Sequence, residues 1–158
     1  MENSQLYNNF LITKIIYFSF PIYFSHLSIN GEMLNSDVFS FFEIARFKIL
    51  NEFLLSLERT KEKEVEVIKN AKFVVTKINC SSTKRFFPVE SILVSTRLKI
   101  ESNFLLKFYQ NVEIKKEKFY DSEIEIAVVD NNNKVFNLPY ELMEKFHFFF
   151  NNYKKEII

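Results

Sequence analysis

Four side chains that can do chemistry lie close together in the first third of the chain: Ser28, Glu32, Glu43 and Arg46. A positioned carboxylate serves as a general base or as a nucleophile, so Glu32 and Glu43 are candidates for this role. A serine hydroxyl attacks only when a base touches it, and His26, two residues before Ser28, shares its face only in extended backbone. These residues therefore predict acid–base or nucleophilic chemistry.

Each residue of this segment also has a plain structural interpretation. Gly31 permits a positive φ angle in a turn. Asn35 or Ser36 is a suitable helix cap, which is worth about 1 kcal/mol. Glu43 and Arg46 stand three residues apart, which is the spacing of an ion pair on one helix face. The sequence leaves the structural and the chemical interpretations open.

Cys80 is the one cysteine of the chain, so it forms no internal disulfide and completes no thiolate metal cluster. This cysteine usage predicts an intracellular, cytoplasmic protein. A catalytic thiol needs a nearby base, and nothing local ties His26 or His147 to Cys80, so all three fit ordinary structural positions. Because the sequence has no metal-ligand spacing and no cofactor motif, we predict neither a metal nor a cofactor.

The composition restricts the class of protein. The 158 residues include 21 basic and 20 acidic side chains, so no large electric field attracts nucleic acid or an anionic membrane. The hydrophobic fraction of 47% excludes intrinsic disorder. The apolar segment 10–24 is interrupted by Lys14 and Pro21 and is shorter than the ~20 residues that span a bilayer. We therefore expect a buried strand there, and neither a targeting segment nor a membrane partner.

The elements that must position the chemical residues follow from hydrophobic periodicity. Residues 10–25 predict a first strand, with Pro21 at an edge or a bulge. Residues 27–35 contain the only glycine and predict a loop. From Ser36 to Leu57 apolar residues recur at helical spacing, which predicts a long helix. The charged run Glu58 to Glu64 is expected to end it.

Downstream of the helix the hydrophobic period changes to that of strands. The predicted strands are residues 65–79, 91–101, 103–114 and 119–130. Turn signals lie at residues 81–84, 101–103, 115–118 and 131–133. A short terminal helix is predicted from Tyr140 to Tyr153, with Pro139 near its first turn. This order predicts one α+β domain over residues 1–158, in which a five-stranded antiparallel sheet wraps around one long central helix.

The segment Ser28–Arg46, SINGEMLNSDVFSFFEIAR, resembles the signature of the 4-hydroxybenzoyl-CoA thioesterase group of hotdog proteins, in outline D-x-x-G-H-x-x-N-x-x-Y-x-x-Y-F-E-x-A-R. The matching positions are Gly31, Asn35, Phe41, Phe42, Glu43, Ala45 and Arg46, with Phe41 in place of tyrosine. Later segments also resemble the family, namely Phe86-Phe87-Pro88, Val94-Ser95-Thr96, Val129-Asp130 and Leu138-Pro139. The resemblance covers about residues 12–145 and implies the hotdog fold.

This resemblance also implies hydrolysis of an acyl thioester, with coenzyme A or an acyl-carrier protein as the thiol, at a site shared by two subunits. The start of the long helix faces the thioester carbonyl, where unpaired N–H groups and the positive dipole end stabilise an oxyanion. The implied substrate-binding residues are Gly31, Asn35, Val38 and Phe42. We expect a homodimer or homotetramer with sheets joined edge to edge, because a single sheet leaves an edge uncovered.

The sequence departs from the family's pattern at the residues that carry the chemistry. Ser28 stands where the family has aspartate, Glu32 where it has histidine, and Val38 where it has its first tyrosine. Four replacements for the missing acid stay open. Glu32 supplies a carboxylate from the same loop, Glu43 resembles the acid that some hotdog enzymes carry on the helix, or Ser28 acts as nucleophile. In the fourth, as in hotdog thioesterases of enediyne polyketide pathways, polar groups and the arginine matching Arg46 act without an acid.

Two other functions stay open. The first is a hotdog dimer that holds an acyl thioester or a fatty acid without cleaving it, which the absent aspartate favours. The second is a dehydratase or ketide-tailoring enzyme, which needs a catalytic histidine facing an acid, whereas His26 lies before the loop. A hydrolase releases free thiol, a binding protein only gains thermal stability with ligand, and a dehydratase removes water from the acyl group.

Overall fold

The computed structural model describes residues 10–28, 30–82 and 90–154. The strands are β1 (Ile16–Pro21), β2 (Lys72–Ser82), β3 (Ser91–Ile100), β4 (Leu105–Ile114) and β5 (Glu117–Val129). The helices are α1 (Asn35–Arg59), α2 (Glu64–Lys69) and α3 (Tyr140–Asn151), and a short 3₁₀ turn spans Phe24–His26.

The five strands form one antiparallel sheet in the order β1-β3-β4-β5-β2. Side chains alternate between its faces, and one face is buried. On β4 the inward residues are Leu106, Phe108, Gln110 and Val112. Helix α1 covers this face, and its buried residues join the sheet in one core. The predicted hotdog arrangement, a five-stranded antiparallel sheet around one long helix, is therefore confirmed.

Helix α1 forms because its apolar residues recur at intervals of three and four. Its buried side chains are Val38, Phe41, Phe42, Ala45, Arg46, Ile49, Phe53 and Leu57. It ends at Arg59, in the predicted charged run, where the N–H of Thr60 donates to Ser56 and Lys61 adopts a φ of 54°. The predicted cap at Asn35 or Ser36 is wrong, because the N-cap is Leu34 and it makes no side-chain cap bond.

Two strand predictions need correction. Residues 65–69 belong to helix α2, because Val65 and Ile68, three positions apart, both pack on the core. Glu64 in the first turn and Lys69 in the last turn also suit the helix dipole. The first strand is shorter than predicted, since β1 begins only at Ile16. Before it, Thr13 docks on β3, where its N–H donates to Leu98 and its hydroxyl accepts from Leu98.

The other predicted elements lie within a few residues of their expected positions. The turn predicted at 81–84 is wrong in its first half, because Ser81 and Ser82 belong to β2. Lys115 and Lys116, with φ angles of 50° and 67°, form the turn between β4 and β5. Phe86-Phe87-Pro88, which contributed to the family resemblance, lies outside the described residues.

Helix α3 closes the core beside the second half of α1. It begins directly after Pro139, as predicted, because a proline fits where a backbone N–H is not needed. The Phe53 ring of α1 lies 4.9 Å from that of Phe146 and 5.4 Å from that of Phe149, between ring centroids. Within the described residues, no helix is long and apolar enough to cross a membrane.

Candidate active site

The loop before α1 is held by a closed turn between Ser28 and Glu32. The N–H of Ser28 donates to the carbonyl of Glu32 at 2.7 Å, and the N–H of Gly31 donates to the carbonyl of Ser28 at 2.9 Å. The Ser28 hydroxyl oxygen accepts from the N–H groups of Asn30 and Glu32, both at 3.3 Å. Gly31 has a φ of 76°, which favours glycine. The Gly31 amide and the Ser28 hydroxyl therefore stabilise the turn.

The start of α1 is exposed and carries no side-chain cap. Asn35 and Ser36 are exposed, and within the described residues no acceptor bonds to their N–H groups. Unpaired N–H groups at a helix start, together with the positive end of the dipole, are a site for a developing oxyanion. The loop carboxylate Glu32 precedes this start by only three residues. The N–H groups of Asn35 and Ser36 are therefore exposed and without an acceptor in the described part of the chain, and their role as oxyanion donors stays a prediction.

Tyr120 on β5 contacts this helix start and was not predicted. Its hydroxyl lies 3.3 Å from Oδ1 of Asn35 and 3.4 Å from the carbonyl oxygen of Met33. Burial raises the pKa of Tyr120, a hydrogen bond with Ser82 opposes this, and the negative charge of Glu32 adds to it. Tyr120 therefore stays protonated at neutral pH and donates to the segment that leads into α1. It also lies within electrostatic reach of Glu32.

His26 does not form a dyad with Ser28. Its Nδ1 accepts a hydrogen bond of 3.0 Å from the N–H of Tyr23, which assigns the ring proton of a neutral imidazole to Nε2. Its ring packs against those of Tyr23 and Phe41, with centroids 5.5 and 5.2 Å apart. The carbonyl of His26 accepts from the N–H of Leu34, so this residue anchors the loop.

Arg46 lies buried under the middle of α1 and bonds to a glutamine of the sheet. Its Nη1 donates to Oε1 of Gln110 at 2.7 Å, and Gln110 in turn donates to the carbonyl of Phe42 and to the hydroxyl of Thr96, both at 3.0 Å. Burial lowers the pKa of Arg46 to about 10, and the nearby charge of Glu43 opposes this effect. Arg46 therefore remains a cation at neutral pH.

Glu43 is exposed and does not form the close ion pair with Arg46 that its spacing suggested. Within the described residues, no carboxylate lies within ion-pair distance of Arg46. Glu43 and Arg46 instead line one pocket of about 40 Å³ beside the edge strand β2, which is room for one or two water molecules. Its other lining residues are Phe47, Leu50, Phe73, Val75 and Ile126.

The predicted residues thus fall into two groups along α1. Ser28, Gly31, Glu32 and Asn35 gather at the helix start. Glu43 and Arg46 follow on the third helical turn, and the Cα of Glu43 lies about 12 Å from that of Asn35 at 1.5 Å per residue. Val38 and Phe42, predicted to bind substrate, are fully buried in the core between the two groups. Their substrate contact stays a prediction, to which the single chain adds no support.

The polar residues that sequence reasoning missed share one signal. Tyr120, Ser122, Gln110 and Thr96 all stand at inward positions of the sheet, where the neighbouring inward residues are aliphatic or aromatic. Burying a polar group is costly unless it is bonded, so each must have a partner in the core. A polar residue at a buried position of a predicted strand was therefore a usable signal of a hydrogen bond in the core, although it does not identify the residue that is bonded.

Other places that could carry chemistry lie apart from these groups. Burial raises the pKa of the Cys80 thiol, and Asp121 adds to this, so the thiol stays protonated. His147 bonds through Nε2 to the carbonyl of Leu11. Within the described residues, no three metal-binding side chains come together. A groove of about 600 Å³ between the second half of α1 and α3 contains none of the predicted site residues.

Comparison with known proteins supports the fold. No protein-family model matches the sequence, and no curated protein does. The structure is similar to YbaW, a probable thioesterase from Escherichia coli, with 18% identity, a TM-score of 0.67 and coverage of 83% of this chain and 96% of that one. It is also similar to the DHNA-CoA thioesterase from Staphylococcus aureus, with 16% identity, a TM-score of 0.67 and coverage of 91% and 98%.

A third similar structure is Slr0204, a 1,4-dihydroxy-2-naphthoyl-CoA thioesterase from Synechocystis. It shares 9% identity with a TM-score of 0.68 over 85% of this chain and 96% of the other. At such identities the likeness establishes the fold, and any activity must be argued from this chain's own residues.

Proposed function

We propose that this hotdog-fold chain hydrolyses an acyl thioester of coenzyme A or of an acyl-carrier protein, giving free acid and thiol. The observation that carries the proposal is the exposed, uncapped start of α1, with Glu32 three residues before it and within electrostatic reach of Tyr120, whose hydroxyl contacts Asn35. Unpaired amides next to a carboxylate are what thioester hydrolysis requires, namely an oxyanion site and a base. The likeness to structures named thioesterases supports the same reaction.

In the proposed reaction the thioester carbonyl oxygen sits at the N–H groups of Asn35 and Ser36. Glu32 takes a proton from a water molecule as the water oxygen bonds to the carbonyl carbon. The negative charge that develops on the carbonyl oxygen is stabilised by the helix start. When the intermediate collapses, the carbon–sulfur bond breaks and the thiolate takes the proton from Glu32. Gly31 and Ser28 contribute by holding the turn that carries Glu32.

We further propose that two chains pair through β2. This strand bonds to β5 on one side, and on its other side no strand of the described residues pairs with it. It carries the exposed apolar residues Val74, Val75 and Ile78. A second copy is the natural occupant because a two-fold axis matches an edge strand with itself in antiparallel pairing. Sedimentation is expected to give a dimer, and Val75→Lys a monomer.

Such pairing gives Glu43 and Arg46 a role in the same site. The two copies of α1 then run antiparallel, so the middle of one helix approaches the start of the other. Phe47, which is 59% exposed, lines the pocket of Glu43 and Arg46 together with Val75 of the edge strand. In this arrangement Arg46 orders the shared site, and Glu43 is the competing candidate for the base.

The second candidate function is binding of an acyl thioester or a fatty acid without hydrolysis. The observation that favours it is Ser28, which stands where the family has its aspartate and whose hydroxyl oxygen is engaged by two amides of the turn. A hydroxyl used in this way is not activated as a nucleophile, because no base among the described residues hydrogen-bonds to it. If Glu32 does not supply the base, the helix start binds the carbonyl and the reaction stops there.

Thiol release separates these two functions. The purified protein is mixed with short-chain, long-chain and aromatic acyl-CoA, and free thiol and melting temperature are both recorded. Hydrolysis predicts thiol release above the spontaneous rate with at least one substrate. A protein that releases no thiol, gains thermal stability from acyl-CoA and begins to hydrolyse it as Ser28→Asp is a binding protein instead.

A further inference from the structure

The buried contact between Arg46 and Gln110 is unusual in its charge balance. Arg46 is only 6% exposed, and its hydrogen-bond partner is a neutral amide at 2.7 Å. Buried cations are normally paired with carboxylates, since desolvation otherwise penalises the charged form. Glu43, the acidic neighbour three residues earlier, is exposed and lies beyond ion-pair distance. In the described part of the chain no carboxylate pairs directly with Arg46, and only the more distant charge of Glu43 offsets its burial.

Gln110 is itself fixed by its surroundings. It has no exposed surface, and its Nε2 donates to the Phe42 carbonyl and to the Thr96 hydroxyl, both at 3.0 Å. Its amide orientation is unambiguous, because an arginine cannot accept a hydrogen bond and a backbone carbonyl cannot donate one. Oε1 must therefore point at Arg46. Gln110 lies on β4, which pairs with β3 on one side and with β5 on the other, so the main chain that carries the amide has little freedom to move.

We propose that Gln110 is a positioning residue that fixes the Arg46 guanidinium while leaving its charge available to one anionic oxygen, such as a single carboxylate oxygen, in the small pocket that Arg46 lines with Glu43. This inference rests on the proposed function, in which the substrate supplies a developing oxyanion and the product is a carboxylate. Arg46 has five N–H donors, and the Gln110 amide uses one, so others remain for a ligand. A neutral anchor suits this task because a carboxylate anchor would cancel the charge.

The test compares Gln110→Glu with Ser122→Ala. Glutamate has nearly the shape of glutamine, so Gln110→Glu keeps the contact with Arg46 and turns it into an ion pair. Ser122 is a matched control, because its hydroxyl donates to the main-chain carbonyl of Gln110 at 2.7 Å and is also buried, yet it makes no hydrogen bond to the guanidinium. Each variant is assayed for kcat, KM and melting temperature.

A second readout does not depend on hydrolysis. The Nε–H signal of Arg46, assigned with Arg46→Lys, is followed by NMR as benzoate or hexanoate is added. We expect both carboxylates to shift this signal in the wild type and in Ser122→Ala, and not in Gln110→Glu. For Gln110→Glu we also expect kcat to fall at least about 30-fold, with KM changed less than about threefold, in a variant that still unfolds cooperatively. Its melting temperature gains from the ion pair and loses from the carboxylate oxygen that faces the Phe42 carbonyl.

The outcomes separate this inference from the proposed function. If the wild type releases no thiol but the carboxylates shift the Arg46 signal, the hydrolase proposal fails and the role of Gln110 stands. If the signal does not shift in the wild type, the role of Gln110 is overturned. It is also overturned if folded Gln110→Glu keeps kcat within about twofold, or if Ser122→Ala loses as much activity.

Gln110→Asn covers the case in which the glutamate variant does not fold. This change keeps the amide and withdraws it from Nη1 by one methylene. A loss of kcat of about tenfold or more is expected at an unchanged KM, because the guanidinium loses its anchor and not its charge. An unchanged kcat in this variant contradicts the inference.

Discussion

The two halves of α1 lie on very different surroundings. The first half runs over inward polar groups of the sheet, among them Tyr120 and Gln110, and buries a cation at Arg46. The second half packs through Phe53 against the aromatic rings of α3. Buried polar networks cost stability and fix geometry, whereas aromatic contacts contribute stability directly. We therefore call the first half of α1 the positioning half, because its contacts fix geometry, and the second half the anchoring half, because its contacts stabilise the helix on the core.

The largest effect is expected in the anchoring half. Phe53→Ala removes a side chain that is only 2% exposed and leaves a cavity between α1 and α3. The free energy of unfolding should fall by about 3 to 5 kcal/mol, measured by urea denaturation. Phe148→Ala is the control, because Phe148 is 69% exposed and its loss should change the stability little. If Phe53→Ala and Phe148→Ala lower the free energy of unfolding equally, Phe53 does not anchor the second half of α1.

The next effect has the opposite sign and belongs to the positioning half. Replacing both Arg46 and Gln110 by apolar residues, as Arg46→Met with Gln110→Leu, removes a buried charge together with its partner. We expect the free energy of unfolding at neutral pH to rise by about 1 to 3 kcal/mol, while thiol release falls. If the double variant instead loses much of its stability, the Arg46–Gln110 network stabilises the fold. The proposed difference between the two halves of α1 is then wrong.

The pH dependence of that stability gain identifies its cause. Burial lowers the pKa of folded Arg46 to about 10, well below the ordinary value of an arginine, so above about pH 10 the unfolded chain binds the proton more tightly. The penalty of burying the charge is complete below about pH 10, and the stability of the wild type recovers as pH rises above this value. The advantage of the double variant should therefore stay constant up to about pH 9 and shrink above about pH 10. If the difference in unfolding free energy between the double variant and the wild type does not change with pH, the buried charge of Arg46 is not its cause.

The smallest effect on stability is expected at Tyr120. Tyr120→Phe keeps the ring in the core and removes the hydroxyl that contacts Asn35 and Met33. The free energy of unfolding should fall by about 1 kcal/mol, and kcat by about tenfold, because the helix start loses a restraint. Ser40→Ala, which removes an exposed hydroxyl bonded within α1, is the control and should leave kcat unchanged. An unchanged kcat in Tyr120→Phe separates this tyrosine from the site.

The sequence predicts the long helix and most strands because their apolar spacing extends over many residues. It fails for α2, since the six residues EVEVIK satisfy the strand period as well as the helical one. The misplaced cap has a different reason. Asn35 is a good capping residue in isolation, but its side-chain oxygen lies at the Tyr120 hydroxyl. Asn35 is also the first residue of the helix, so the N-cap position falls on Leu34.

The site shows the same limit. Glu32, Asn35 and Arg46 are recognisable from one short segment, because the loop and the helix that carry them are continuous in sequence. The partners Tyr120 and Gln110 lie 85 and 64 residues away from Asn35 and Arg46. Their contacts depend on strand register and on how α1 crosses the sheet. The hydrophobic pattern of a single strand contains neither kind of information.

The central claim is that hydrolysis takes place at the start of α1 with Glu32 as the base. The most direct test is kcat for thiol release from the best acyl-CoA substrate by Glu32→Gln, Glu43→Gln and Glu66→Gln, the last removing an exposed carboxylate from α2. We predict a loss of at least about 100-fold in Glu32→Gln at an unchanged melting temperature, with little loss in Glu66→Gln. Full activity in Glu32→Gln, with the loss in Glu43→Gln instead, contradicts the claim and moves the base to the middle of the helix.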